Sequence, residues 1–160
     1  MSCASWNVRG YGLRTNPKTQ QKSRIIDRLF LNHDVIGLQE VHGSEMRMRG
    51  VFNKYNNSHH IEVSACSNSR SGGVLLAIRK SKFGHGTQQP RFNRTVDLEG
   101  RIVAVDVNFA HRVTGAPSTS GFSTIHNFGE AEWARRNALA SLSNGHHWHF
   151  GMGDFNHQLE

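Results

Sequence analysis

The stretch DVIGLQEV, residues 34–41, decides which fold this sequence can adopt. Val35, Ile36 and Leu38 make it almost continuously apolar, which is typical of a short strand buried within a sheet. Glu40 stands near its end, and the carboxyl ends of neighbouring strands converge on the rim where α/β proteins commonly bind ligands. The stretch therefore predicts a buried strand that delivers a carboxylate to a binding rim.

Outward from this strand, alternation of apolar residues and punctuation by glycine and proline predict a mixture of strands and helices. A helix is expected to begin at Pro17, with Thr15 or Asn16 as its cap. Part of residues 42–60 is expected to be helical, and another helix is expected from about Gly129. The other predicted strands are SCASWNV (2–8), IEVSAC (61–66), VLLAI (74–78), RIVAVDVNF (101–109), FSTIH (122–126) and HHWHFGMG (146–153).

Two segments are predicted to lie outside regular structure. Residues 79–94 are basic and contain glycine, so they are expected to form a loop, and residues 110–121, rich in Ser, Thr, Gly and Pro, are expected to be flexible. No internal repeat or interdomain linker is visible. The pattern predicts one domain, residues 1–160, with a layered α/β (α+β) fold.

The composition favours a polyanionic partner. Lys and Arg number 19 against 12 Asp and Glu, for a formal net charge of +7, and such an excess attracts nucleic acid through counterion release, although a basic solvated surface explains it equally well. Cys3 and Cys66 form no spaced motif, so a reducing compartment is expected. The sequence lacks a signal peptide and an apolar run long enough to span a membrane, which predicts an intracellular protein, cytoplasmic or nuclear, without a membrane partner.

Polar residues end four of the predicted strands and form the candidate site. Asn7, Glu40 and His126 each close one strand, and Asp154 and Asn156 follow the last one. Carboxylates suit Mg²⁺, which prefers oxygen ligands, whereas amides and histidine can donate to phosphate oxygens. Each residue alone has a simpler explanation, such as a turn or a surface charge. Their joint placement on four strand ends predicts metal-assisted phosphodiester hydrolysis.

Basic residues around this predicted site are candidates for contact with a nucleic-acid backbone. Arg9, Arg70, Arg91 and Arg94 are the predicted nucleic-acid-binding residues. A solvated basic surface is the alternative for the same residues.

The motifs SWNVRG, IGLQEV, SGGVLLAI, TIHNFG and GMGDFN follow one another as in a known family. In this order and spacing they resemble the endonuclease/exonuclease/phosphatase (DNase I-like) superfamily over nearly the whole chain. WNVRG with LQEV is most similar to the endonuclease domains of non-LTR (LINE-type) retrotransposons. The resemblance implies a four-layer αββα sandwich and a phosphodiesterase that uses Mg²⁺, or Mn²⁺ in its place.

The resemblance also implies a role for each residue of the candidate site. Glu40 matches the principal metal ligand, and Asn7 matches a position beside the metal and the phosphate. His126 matches a residue that contacts the scissile phosphate. Asp154 matches the residue that orients or activates the attacking water, and Asn156 matches its partner on the phosphate and metal side.

This chain departs from the family pattern in two ways. The family continues beyond GDFN to a catalytic Asp–His segment, so the resemblance implies a partial, C-terminally truncated sandwich that needs the missing C-terminal half for full activity. Thr124 also stands where the family usually has Asn. The resulting hypothesis is a DNA endonuclease that is weak or inactive as this chain. The alternatives are a phosphatase or lipid phosphodiesterase of the same superfamily, or a non-catalytic nucleic-acid-binding remnant.

Overall fold

Two four-stranded sheets lie face to face in the computed structural model, which describes residues 1–11, 17–83, 89–110, 117–125 and 148–153. The helices are α1, Pro17–Asn32, and α2, Glu45–Phe52. The first sheet contains β1, Cys3–Asn7; β2, Val35–Gln39; β3, His59–Ser64; and β4, Val74–Arg79. The second contains β5, Arg91–Leu98; β6, Ile102–Ala110; β7, Pro117–Ile125; and β8, Trp148–Gly153.

Parallel pairing sets the end at which neighbouring strands of each sheet finish together. The strand order is β1-β2-β4-β3 in the first sheet and β5-β6-β7-β8 in the second. In the first sheet β1 and β2 are parallel, with α1 as the connection that parallel strands require, and in the second β7 and β8 are parallel. The other neighbouring strands pair antiparallel. The predicted α/β sandwich is confirmed in the layers that the structure describes.

Alternation along β2 supplies two separate apolar layers. Ile36 and Leu38 belong to the core between the first sheet and the helices, whereas Val35 belongs to the core between the sheets. A strand covered on both faces reads as a continuous apolar run, which explains DVIGLQEV. The layer between the sheets is completed by Val74, Leu76, Ile78, Phe83, Val103, Val105, Val107, Phe122 and Met152.

Gly37 allows the sheets to approach each other closely. It lies on the inward face of β2, and a β-carbon built there would lie 2.7 Å from Oγ1 of Thr124 and 3.2 Å from Cε of Met152. Real β-carbons do not make contacts as short as the first of these. The glycine in the middle of an otherwise apolar strand is therefore explained by packing against β7 and β8.

The two helices cover the outer face of the first sheet. α1 begins at Pro17, as the sequence predicts, and buries Ile26 and Phe30 against the first sheet. α2 begins after Ser44, whose hydroxyl accepts a hydrogen bond from the backbone N–H of Arg47. The predicted cap at Thr15 or Asn16 and the helix predicted from Gly129 lie outside the described residues.

Two loop predictions are wrong in part. The expected loop 79–94 contains a short 3₁₀ turn, Lys80–Lys82, and the start of β5 at Arg91. The segment 110–121, expected to be flexible, contains the first half of β7 from Pro117 onward. Both stretches are strands because β6 offers a hydrogen-bonding partner on each side, which local composition does not reveal.

Among the helices that the structure describes, none has both the length and the apolar character needed to cross a lipid bilayer.

Candidate functional site

The strands that precede the predicted site residues end together at one edge of the sandwich. We call this edge the rim and define it by residues 7–10, 40–43, 72–73 and 99–100. The backbone N–H of Gly73, before β4, donates to the carbonyl of Gly100, before β6, at 3.0 Å. Because this bond joins the first sheet to the second, the ends of β1, β2, β7 and β8 lie at the same side of the molecule.

Asn7 and Glu40, the first two predicted site residues, meet at the rim. Nδ2 of Asn7 donates to Oε1 of Glu40 at 3.0 Å. Oδ1 of Asn7 accepts from the backbone N–H of Arg9 at 3.1 Å, which fixes the amide in a tight turn. The Glu40 carboxylate is therefore oriented by a neutral donor that is itself held by the backbone. Among the described residues, no donor is paired with Oε2 of Glu40.

The backbone of the rim adopts a conformation that ordinary residues avoid. Arg9, Glu40 and His42 have φ angles of 45°, 51° and 60°, in the left-handed region. This conformation is uncommon for residues other than glycine and costs about 1–3 kcal/mol for each of them. Residues in this conformation cluster at active sites and ligand-binding sites. The N–H of Gly10 donates to the carbonyl of Glu40 at 2.7 Å, so the two loops that carry these residues support each other.

Lys22 of α1 braces the loop after β1, and sequence reasoning missed it. Its Nζ donates to the carbonyls of Val8 at 2.7 Å and Arg9 at 2.9 Å. The ammonium thus donates two hydrogen bonds to the turn whose Arg9 N–H holds the side chain of Asn7. The position of Lys22 on the first turns of α1, facing the chain that precedes the helix, is the signal that a closer reading could have used.

His42 contributes a partly buried imidazole ring to the rim. Burial lowers its pKa below the usual value, and although the charge of Glu40 opposes this shift, the charge of Lys22 adds to it. The ring also packs against Gly10, where a β-carbon would lie 3.0 Å from Nδ1 of His42 at a φ of 81°. Only glycine fits that position, which explains Gly10 in the motif WNVRG.

The predicted basic residues divide into two groups. Arg9 is exposed at the rim, and Arg70 is exposed in a turn joined to it, because the N–H of Gly43 donates to the carbonyl of Ser69 at 2.7 Å. Arg91, by contrast, pairs in register with Asn108, at the end of the second sheet opposite the rim. Arg94 is occupied within the protein: its Nη2 donates to the carbonyl of Val63 at 2.9 Å. Of these four arginines, Arg9 therefore lies in the rim and Arg70 lies in a turn that contacts it, whereas Arg91 and Arg94 lie elsewhere.

The remaining predicted site residues, His126, Asp154 and Asn156, lie outside the described residues. The strands that precede them, β7 and β8, end at the rim, with Ile125 aligned to Gly153 and to Ile102. Within the described ranges, no group of three His, Cys, Asp or Glu side chains is placed to hold a metal ion. Mg²⁺ needs only one or two carboxylates and otherwise keeps its waters, so the partly exposed Glu40, whose Oε2 has no donor among the described residues, fits such an ion.

The sequence of this chain is similar to that of a known protein family. A sequence model described as "Endonuclease/Exonuclease/phosphatase family" matches residues 4–159. No curated protein sequence matches the chain.

Solved structures of similar fold extend over almost all of this chain. The human Nocturnin catalytic domain with bound sulfate anion has a TM-score of 0.56 and 16% identity, over 96% of this chain and 63% of its own. D. rerio TDP2 complexed with single strand DNA product has a TM-score of 0.57 and 19% identity, over 99% and 61%. The Xenopus laevis APE2 catalytic domain has a TM-score of 0.53 and 17% identity, over 98% and 59%. This chain spans about three fifths of the length of these structures, and at such identities the likeness establishes the fold.

Proposed function

The chain belongs to the endonuclease/exonuclease/phosphatase family, and from that premise we propose that it is a Mg²⁺-dependent phosphodiesterase that hydrolyses DNA. The observation that carries the proposal is the state of Glu40. Its carboxylate is held at 3.0 Å by the neutral amide of Asn7, on a backbone at a φ of 51°, and no cation among the described residues neutralises it. A carboxylate fixed in place without a positive partner is prepared to bind a cation.

Glu40 would hold the metal ion, with Asn7 beside it. A bound Mg²⁺ supplies charge stabilisation at a phosphate or a departing oxygen. Asn7 keeps the carboxylate in one orientation, since its own Oδ1 is fixed by the N–H of Arg9. From the family resemblance we assign donation to the scissile phosphate to His126, orientation of the attacking water to Asp154, and contact with the phosphate to Asn156.

Charge at the rim supports DNA as the substrate class. Arg9 is exposed in the rim, Arg70 is exposed in a turn that is hydrogen-bonded to it, and the chain as a whole carries a formal net charge of +7. Cationic side chains around a site gather polyanions by steering and by releasing counterions from phosphates. The D. rerio TDP2 structure, of similar fold, holds a single strand DNA product. The narrower assignment to retroelement endonucleases stays a prediction from the motifs WNVRG and LQEV.

Nicking of supercoiled plasmid DNA tests the proposal. We expect Mg²⁺-dependent conversion to the open circle, abolished by EDTA and by Glu40→Ala. Because this chain spans about three fifths of the length of the similar solved structures, the assay is also run on the longest product of the natural reading frame. Glu45→Ala, which removes an exposed carboxylate on α2, is the matched control and should nick like wild type.

Two results would contradict the proposal. DNA binding that weakens with salt but never leads to nicking in either protein indicates a non-catalytic nucleic-acid-binding remnant. Hydrolysis of small phosphate esters or of a phospholipid, with no salt-dependent DNA binding, indicates a phosphatase or lipid phosphodiesterase of the same family.

A further inference from the structure

A buried polar contact joins the two sheets directly behind the rim. Nε2 of Gln39, the last residue of β2, donates to Oγ1 of Thr124 on β7 at 3.0 Å. Both residues are buried, with 1% and 0% of their surfaces exposed. The second N–H of the same amide donates to Oγ of Ser5 on β1 at 3.1 Å. One side chain thus connects β1, β2 and β7 across an otherwise apolar interface.

The residues around this contact leave space for it. On the inward face of β2, Val35 is apolar, Gly37 has no side chain and Gln39 is polar. The missing β-carbon at Gly37 is what leaves room for Thr124, since a β-carbon there would lie 2.7 Å from Oγ1. An apolar pair at 39 and 124 would bury as well without needing a partner, so stability alone gives no reason for an amide and a hydroxyl.

We propose that Gln39 and Thr124 are a positioning pair that sets the spacing of the two sheet ends at the rim. Gln39 immediately precedes Glu40, and Thr124 lies two residues before position 126 at the end of β7. A hydrogen bond fixes distance and direction more narrowly than apolar contact does. The pair therefore holds Glu40 at a set distance from the groups that follow β7 and β8. This inference rests on the proposed function, because it concerns the geometry of the same site.

Three variants separate positioning from packing. Thr124→Val removes the hydroxyl and leaves one N–H of Gln39 buried and unpaired. Thr124→Ser keeps the hydroxyl. Gln39→Leu combined with Thr124→Val replaces both partners by apolar groups of similar shape, which can be nearly neutral for stability. The double variant therefore keeps the test decisive even where Thr124→Val alone fails to fold.

The readouts are the amide NMR signals of the rim, their titration with Mg²⁺, and plasmid nicking. We expect the double variant to melt close to wild type while the signals of Gly10 and Gly73 move. Its apparent dissociation constant for Mg²⁺ should rise about tenfold or more, as is usual when a group that orients a metal ligand is lost. Nicking should fall through kcat with KM unchanged. Thr124→Ser should retain the wild-type values.

Wild-type rim signals in the double variant would overturn the positioning role, and so would a wild-type Mg²⁺ titration. This holds whether or not the chain is an enzyme. If wild-type protein neither binds Mg²⁺ nor nicks DNA, the proposed function fails, and the signals of Gly10 and Gly73 alone decide the positioning role. Signals that are displaced in the double variant but unchanged in Thr124→Ser support it, and unmoved signals in the double variant refute it.

Discussion

One carboxylate lies at each end of β2, and the two differ in the charge of their partners. Asp34, just before the strand, accepts from the N–H of Ser2 at 2.9 Å and forms ion pairs with Arg79 at 3.2 Å and Lys82 at 3.5 Å. Glu40, just after it, has the neutral amide of Asn7 as its donor. No ion pair to Glu40 is formed within the described part of the chain.

Under the proposed function, this difference separates a charge that stabilises the fold from a charge that binds the metal ion. Burial alone would raise the pKa of Asp34, but the hydrogen bonds from Ser2 and the charge of Lys82 outweigh it, and the pKa lies below its usual value. The end of the sheet near Asp34 is further closed by Arg79, whose Nη2 donates to three carbonyls at the end of α1. The rim instead holds three non-glycine residues at positive φ, and its Glu40 carboxylate forms no ion pair among the described residues.

Removing the rim carboxylate should have the largest effect, and on activity alone. We expect Glu40→Gln to lower Mg²⁺-dependent nicking by more than about a hundredfold, since even the groups that merely orient metal ligands contribute up to that factor. Its melting temperature should stay at or above that of wild type, because no ion pair is lost. A melting temperature that falls with activity would show that Glu40 stabilises the fold as Asp34 does.

Removing the carboxylate at the other end of β2 should lower the stability of the fold. Asp34→Asn removes the partner of Arg79 and Lys82 and is expected to cost about 2 kcal/mol, within the range for hydrogen bonds to charged groups. Urea unfolding measures it, with Glu45→Gln as control, because the ion pair between Glu45 and Arg49 is half-exposed and worth little. Equal losses for the two variants would erase the distinction between a built network and an ordinary surface pair.

Acid should weaken the stable end first. His59 is buried beside that network, and burial together with the charge of Arg79 lowers its pKa from 6.5 to about 4. The unfolded chain therefore binds a proton between pH 6.5 and 4 that the folded chain resists, so stability is full above pH 6.5 and falls as the pH drops toward 4. We expect a loss of about 3 kcal/mol over this range, because each unit of pKa difference corresponds to about 1.4 kcal/mol.

The pH dependence of urea unfolding checks this expectation. His59→Leu should flatten the curve between pH 6.5 and 4, whereas His42→Leu, at the rim, should change it much less. A slope that survives in His59→Leu would place the responsible group elsewhere.

How far the sequence predicts the fold depends on where a strand finds its partners. β2 and β4 were predicted because both of their faces are buried, which makes VIGL and VLLAI continuously apolar. β5 and the first half of β7 were missed because RFNRT and PSTSG are polar. Both segments are strands because each forms hydrogen bonds with β6. The residues within the two segments give no sign of this pairing.

The same limit applies to the site. Asn7 and Glu40 were predicted because a polar residue at the end of an apolar strand is a local pattern. The contacts of Lys22 with the loop after β1 and of Gln39 with Thr124 depend on tertiary packing between segments up to 85 positions apart. Strand direction likewise decides that Arg91 lies at the opposite end from Arg70, and composition contains no such information.

Relief of backbone strain at the rim should give the smallest effect, with opposite sign at a matched position. Arg9 is exposed at a φ of 45°, so Arg9→Gly should stabilise the fold by about 0.5 kcal/mol, the relief of a left-handed conformation less the entropy that glycine loses. Arg24→Gly, at an exposed position inside α1, should instead destabilise by about 1 kcal/mol. Urea unfolding of both variants measures the difference. If Arg9→Gly destabilises as Arg24→Gly does, the rim stores no strain, and the contrast between the two ends of β2 rests on charge alone.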